Sequence, residues 1–199
     1  MSNSSTIATW KARARRGDGS AAWSLGCLYA SGALSIKGLG TVRAERSRRN
    51  ALHWLRRAVS LGERGAIYEL ADQLSVGSEA SAAEGLRLLR NAARRGDAAA
   101  AQNLAIVHSE RGNPRRCVFW LRKTEELGDP DWFHLAIAYA AGYGCRRDLE
   151  KARRLFKKNV SSAHEFPINR EEAHGFLSMI AQHREIKVVG SIGIVHPTP

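Results

Sequence analysis

An all-α solenoid of about four stacked helix pairs, closed by a capping helix at each end, is the fold this chain predicts. Three observations carry that prediction. A glycine–leucine register returns four times. A helix-start residue returns behind each copy. The units are 45, 34 and 32 residues apart on their glycines, Gly17, Gly62, Gly96 and Gly128, which is the length of a two-helix unit that must stack to bury its apolar face.

The first helix of each unit follows its glycine. Leu25, Leu70 and Leu104 stand eight residues on, and Leu135 seven, after a one-residue deletion. A small residue follows each leucine: Gly26, Ala71, Ala105, Ala136. Four residues after the leucine comes a bulkier side chain, Tyr29, Leu74, His108 or Tyr139. Leucine, small neighbour and bulky i+4 make one helix face, narrowed where a second helix approaches. Gly32, Gly77, Gly112 and Gly142 end these helices, as a left-handed C′ residue does. Asp18, Asp97 and Asp129, each beside an anchoring glycine, are placed to cap the helix that follows.

The second helices start from Ser47, Ser81, Asn113 and Asp148, all short polar residues that accept from free backbone N–H groups. Ser81 and Glu84 have capping-box spacing, and Pro114 suits a first helical turn. Ala51, Gly85, Cys117 and Ala152 give small positions four residues on, and Trp54, Leu88, Trp120 and Leu155 bulky ones three later. The predicted spine is therefore Leu25, Tyr29, Trp54, Leu70, Leu88, Leu104, Trp120, Leu135, Tyr139 and Leu155.

Before the repeats, residues 1–16 give an N-terminal capping helix with Trp10 on its apolar side. The repeats fill 17–160. Residues 161–199 give a capping helix from Asn169, with Glu172 as its box partner, to about His183, then a β-prone, Gly/Pro-punctuated tail that is an extended arm or a disordered end.

The stretches AAWSLGCLYASG, AIYELADQLSVG and DWFHLAIAYAAGYGCRRDLEKARRLFKK resemble Sel-one-like repeats, relatives of tetratricopeptide repeats. The family pattern is A-x-x-x-L-G-x-x-Y-x-x-G-x-G, then Asp and Lys-Ala. The fourth copy is nearest to it, with Leu135, Ala136, Tyr139, Gly142, Gly144, Asp148, Lys151 and Ala152. The second and third replace its glycine by Ala71 and Ala105 and its tyrosine by Leu74 and His108. The resemblance covers about residues 17–158. It implies a right-handed superhelix whose first helices line a concave face. It also implies an adaptor, regulator or receptor rather than an enzyme, with bacterial immunity proteins against secreted effectors as a narrower case.

Composition fits one solenoid domain of 199 residues, 44% hydrophobic. The polar, basic N-terminus lacks an apolar signal core, and no apolar run has membrane-spanning length. Three cysteines, Cys27, Cys117 and Cys145, are odd in number and sit at non-equivalent positions, which favours a reducing cytoplasm. No GxSxG, P-loop, HExxH or ligand-spaced histidine set is present, so neither catalysis nor a cofactor nor a metal is expected.

The net charge is +12, and residues 1–61 hold 11 Lys/Arg against 2 Asp/Glu. That excess is either a solvated basic face with cations at helix C-termini, or a surface for an acidic protein or, less well supported, for nucleic acid. Two partner-binding candidates follow. Trp23, Tyr68, Gln102 and Phe133 hold equivalent places on successive first helices, with Ser24, Glu69, Asn103 and His134 one position on. This double row is either a recognition groove or packing. The second candidate is the 14-residue insertion from Ala33 to Arg46, with Lys37, Arg43, Arg46, Arg48 and Arg49 in and beside it. It is either a binding element or a tolerated surface loop.

Overall fold

The computed structural model describes residues 3–37, 40–162, 167–182, 184, 186–188 and 195–197. Among these, ten helices carry the fold, with two short hairpins. The fold is all-α, built of helix-pair repeats flanked by single helices. The chain forms two compact units, Met1–Leu89 and Arg90–Pro199.

The first unit contains α1 (Asn3–Arg15), α2 (Gly19–Ser31), β1 (Ala33–Ile36), β2 (Gly40–Arg43), α3 (Arg48–Ser60) and α4 (Gly65–Ser75). Helix α5 (Glu79–Arg94) covers the unit boundary in sequence. Asp18 caps α2 by accepting from the Ala21 N–H at 2.9 Å, and Ser47 caps α3 by accepting from Asn50. Helix α4 starts at Arg64 with no side-chain cap bond, consistent with the missing aspartate beside Gly62. The second cap differs from expectation: α5 begins a turn early, and Ser78, not Ser81, accepts from the Ser81 N–H. Glu84 is released from the predicted box and pairs with Arg56 on α3 at 3.0 Å.

Small residues sit where helices close. A Cβ on Gly26 would fall 2.6 Å from the Leu55 side chain, and one on Gly85 would fall 3.1 Å from the Ala71 carbonyl oxygen. Trp10, Leu25, Leu28, Trp54, Leu55, Leu70 and Leu74 fill this unit's core.

The second unit holds α6 (Ala98–Glu110), α7 (Pro114–Glu126), α8 (Trp132–Ala141), α9 (Leu149–Ser161), α10 (Pro167–Ala181), β3 (Ile186–Val188) and β4 (Val195–Pro197). Asp97 and Asp148 cap α6 and α9 as expected, accepting from Ala100 and Lys151. Asn113 stands at the start of α7 without a side-chain cap bond, and Pro114 opens the helix. Asp131 rather than Asp129 caps α8, because that helix starts later after its anchoring glycine than the other first helices do, by two residues relative to α2 and α6. Helix α10 begins at Pro167, which leaves Asn169 inside it and not at its cap. His183, expected near its end, lies outside the described residues. In the tail, residues 186–188 and 195–197 form an antiparallel ladder in which Ile186 pairs with Pro197, and Ile186 is buried.

The four anchoring glycines, Gly17, Gly62, Gly96 and Gly128, have φ between 84° and 100°, a conformation that strains other residues and lets the chain turn from one pair to the next. Gly77, expected in the same role at the end of α4, is not left-handed; Val76 ends that helix. The first-helix leucines are all buried, as predicted. The second-helix spine is shifted by one residue. Leu55, Leu89, Leu121 and Phe156 are each at most 2% exposed, whereas Leu88 and Trp120 are half-buried. The small residue and the one four later lie on a single helical stripe, so Trp54, Leu88, Trp120 and Leu155 flank the deepest line. Tyr29 is also half-buried.

Candidate functional site

In the first unit the insertion is a β-hairpin, with Ala33 opposite Arg43 and Ile36 opposite Gly40. Val42 anchors it, 3% exposed and packed into the core beneath. Backbone bonds from Ala44 to Gly32 and from Ser47 to Tyr29 tie its base to the end of α2. The five predicted cations divide into two kinds. Arg46 Nε donates to the Ser31 carbonyl at 2.9 Å, and Arg48 donates to the Gln73 carbonyl at 2.8 Å. These two satisfy the carbonyl ends of α2 and α4, where a cation also opposes the helix dipole. Lys37, Arg43 and Arg49 are exposed to solvent.

The predicted row on α2 and α4 is partly packing. Trp23 lies across the start of α4, where a Cβ on Gly65 would come within 2.7 Å of its ring. Its indole N–H is buried with no hydrogen-bond partner among the described residues. Tyr68 is half-buried on α4. Ser24 donates back to the Ser20 carbonyl within its own helix. Burial raises the Glu69 carboxyl above its ordinary range, and the neighbouring Asp72 charge adds to this. Burial and the Glu69 charge together push the Cys27 thiol to about 11. Cys27 therefore carries no reactive thiolate.

In the second unit Phe133 is a core residue, not a groove residue. It is 4% exposed and packs at 6.1 Å from Phe156 and 6.0 Å from Phe176, which stack on each other at 5.3 Å. Asn103 donates to the Ala99 carbonyl one turn back. Gln102 and His134 are brought together by a residue the sequence did not single out. Asp131 accepts from the Gln102 amide at 3.0 Å, from His134 Nδ1 at 2.8 Å and from the His134 backbone N–H at 3.1 Å. Its own backbone N–H donates to Thr124 Oγ1, which donates to the Leu121 carbonyl. Asp131 thus joins α6 and α8 through its carboxylate and α7 through its backbone N–H. Burial works against its charge, but the hydrogen bond and charge of His134 outweigh it and hold the carboxyl below the usual range. The available signal was an aspartate three residues before a helical histidine; the aspartate beside Gly128 masked it.

The charge asymmetry of the first 61 residues does not extend to whole units. Met1–Leu89 carries 13 Lys/Arg against 7 Asp/Glu, and Arg90–Pro199 carries 18 against 12, a balance of +6 in each. Among the described residues, no three His, Cys, Asp or Glu side chains gather as metal ligands would.

Comparison with known proteins agrees with this architecture. The Sel1 repeat family matches residues 19–63, 65–97, 98–129 and 133–158, which are the four helix pairs in turn. No curated protein is significantly similar to the chain. Among solved structures, c5321, a protective antigen of uropathogenic Escherichia coli with an SLR fold, is similar at a TM-score of 0.63 and 20% identity. The similarity covers 87% of this chain but only 36% of that one. A Sel1 repeat protein from Oxalobacter formigenes is similar at a TM-score of 0.62 and 22% identity, over 97% of this chain and 71% of the other. At these identities the likeness is one of fold.

Proposed function

Because the chain belongs to the Sel1 repeat family, we propose that it is a non-catalytic scaffold that binds another protein through the hairpin side of its first unit, and that the partner surface is acidic. The observation that carries this reading is the β1–β2 hairpin. Only the first of the four repeats has one among the described residues, and stacking does not require it. It is anchored by Val42, so it is a fixed platform and not a slack loop. It presents Lys37 and Arg43 to solvent, with Arg49 close by in sequence at the start of α3. Exposed cations on an anchored backbone steer an acidic partner and set its association rate.

The cytoplasm is the compartment that suits this reading. The three cysteines are free thiols, and among the described residues no helix is long and apolar enough to cross a membrane. The test is capture from the native host at low salt with wild type and with Lys37→Glu/Arg43→Glu/Arg49→Glu. A protein retained by wild type and lost by the variant supports the proposal. Nucleic acid in that role replaces the protein partner, and equal capture by both baits removes the hairpin from the account. The narrower immunity reading requires the captured protein to be a toxic effector.

A further inference from the structure

We propose that the fourth repeat carries a binding pocket for a phosphoryl group, independent of the hairpin surface and of the reading above. The loop between α8 and α9 borders an open pocket of about 430 Å³ lined by Arg122, Tyr139, Cys145, Arg146, Arg147, Asp148 and Lys151. Four of these seven side chains are cations, drawn from α7, from the loop and from the first turn of α9. None of the four makes an ion pair among the described residues. The single carboxylate, Asp148, caps α9 through Oδ1, accepting from the Lys151 N–H at 2.8 Å, and leaves the four cations in excess of the lone anion.

Like charges converge here against their mutual repulsion. Lys151 Nζ lies 4.3 Å and the Arg122 guanidinium 5.6 Å from the centre of the Tyr139 ring, and Arg122 Nε donates to the Tyr139 hydroxyl. Tyr139 is 5% exposed, so it acts as a buried post that holds both cations at the cavity wall. Repulsion of this kind is relieved by a bound anion.

The loop is built to hold its shape. Tyr143 N–H donates to the Ala138 carbonyl, and the Tyr143 hydroxyl bonds Ser109 at 3.0 Å. Arg147 Nε donates to the Ala140 carbonyl, and Asp148 N–H to the Tyr139 carbonyl. Gly144, at φ 68°, lies so close to the Pro114 carbonyl that a Cβ would overlap it. A ligand entering such a frame costs little ordering.

The chemistry points to phosphate. Cations arriving from three separate elements suit a tetrahedral polyanion better than one planar carboxylate. A water fills about 30 Å³ of liquid, so the cavity holds an organic body as well as the anion. The phosphoryl group would be carried either by a free organophosphate or by a phosphorylated side chain of a bound protein.

The test is calorimetric titration of the full chain with inorganic pyrophosphate at low ionic strength. Arg122→Gln/Lys151→Met is expected to weaken binding by about tenfold or more, while Arg153→Gln/Arg154→Gln, on the exposed side of α9, changes it by less than about twofold. Arg146→Gln alone, which removes an exposed pocket cation with no recorded bond, is expected to weaken it about threefold and serves if the double variant fails to fold. Displacement of pyrophosphate by a phosphoserine peptide, but not by its serine form, assigns the protein-borne source; displacement by a sugar phosphate alone assigns the free one. Absence of pyrophosphate binding to wild type, or equal binding by all variants, overturns the proposal.

Discussion

Replacing Asp131 by alanine should be among the costliest single changes to a polar side chain in this protein. The carboxylate is almost wholly buried and performs three tasks. It caps α8, a role worth about 1 kcal/mol. It accepts from Gln102 on α6, a bond to a charged group worth about 1.5–3 kcal/mol before the exposed amide regains water. It pairs with His134, whose side chain is 26% exposed, so solvent screening holds that contribution to about 1 kcal/mol. Relief of the aspartate's own desolvation offsets part of this, but its lowered pKa shows that the bonds outweigh burial. The net expectation is a loss of about 2–3 kcal/mol. Asp129, an exposed residue, is the internal control, and its alanine variant should stay within about 0.5 kcal/mol of wild type. Urea denaturation of both variants measures this. The sign of the pH dependence follows from the lowered carboxyl. Its contribution is complete above the ordinary value of 3.8 and disappears as pH falls through the lower folded value, so Asp131→Ala should flatten the acid limb of the stability curve. If Asp129→Ala costs as much as Asp131→Ala, the capping assignment is wrong. If neither costs 0.5 kcal/mol, the hub carries no energy.

Three further outcomes are expected. Burial first, then the charges of Arg116, Arg90 and Arg111, lower His108, and its Nδ1 has no hydrogen-bond partner among the described residues. The unfolded state therefore binds the extra proton, and stability drops as pH falls below the ordinary 6.5. Relative to wild type, His108→Leu should gain stability as pH falls from 7.5 to 5.5, and a pH-independent difference would contradict this. Gly144→Ala should cost about 2 kcal/mol or more, from its left-handed backbone and the overlap with Pro114, while Gly175→Ala, with open space around it inside α10, should be neutral or stabilising; thermal melts of the pair decide. Phe133→Ala should lose about 3–5 kcal/mol of stability through the aromatic core, and once folded it should bind the partner normally. Trp23→Ala and Tyr68→Ala, both half-buried, should cost less stability, and affinity measurements on the same variants show whether α2 and α4 form a recognition face.

The repeat architecture was legible because local chemistry and global packing agree in it. Anchoring glycines, capping aspartates and small-residue contacts each have a residue type that little else can replace. The errors were errors of phase. Ser81 and Asp129 have the right chemistry one helical turn or two residues from where the helices start, because the sequence alone does not fix how far a helix unwinds at its end. A one-residue phase error also placed Leu88 and Trp120 on the deepest line in place of Leu89 and Leu121. The hairpin escaped notice because Ala33–Arg43 has few strand-forming residues besides Leu34, Ile36, Thr41 and Val42, and Val42 docks on a core that only the fold assembles. The Asp131 hub and the fourth-repeat pocket were hidden for another reason: their members come from three helices and a loop, so no spacing in the chain betrays them.

If the hairpin cations direct partner binding, they govern its association rate. The most direct measurement is the association rate of the captured partner at low and at near-physiological salt, for wild type, for Lys37→Glu/Arg43→Glu/Arg49→Glu, and for Arg153→Glu/Arg154→Glu/Lys157→Glu. Wild type and the α9 variant are expected to associate about tenfold or more faster at low salt than at near-physiological salt, and the hairpin variant to be slow and nearly insensitive to salt. Equal rates and equal salt dependence for the two triple variants would contradict it.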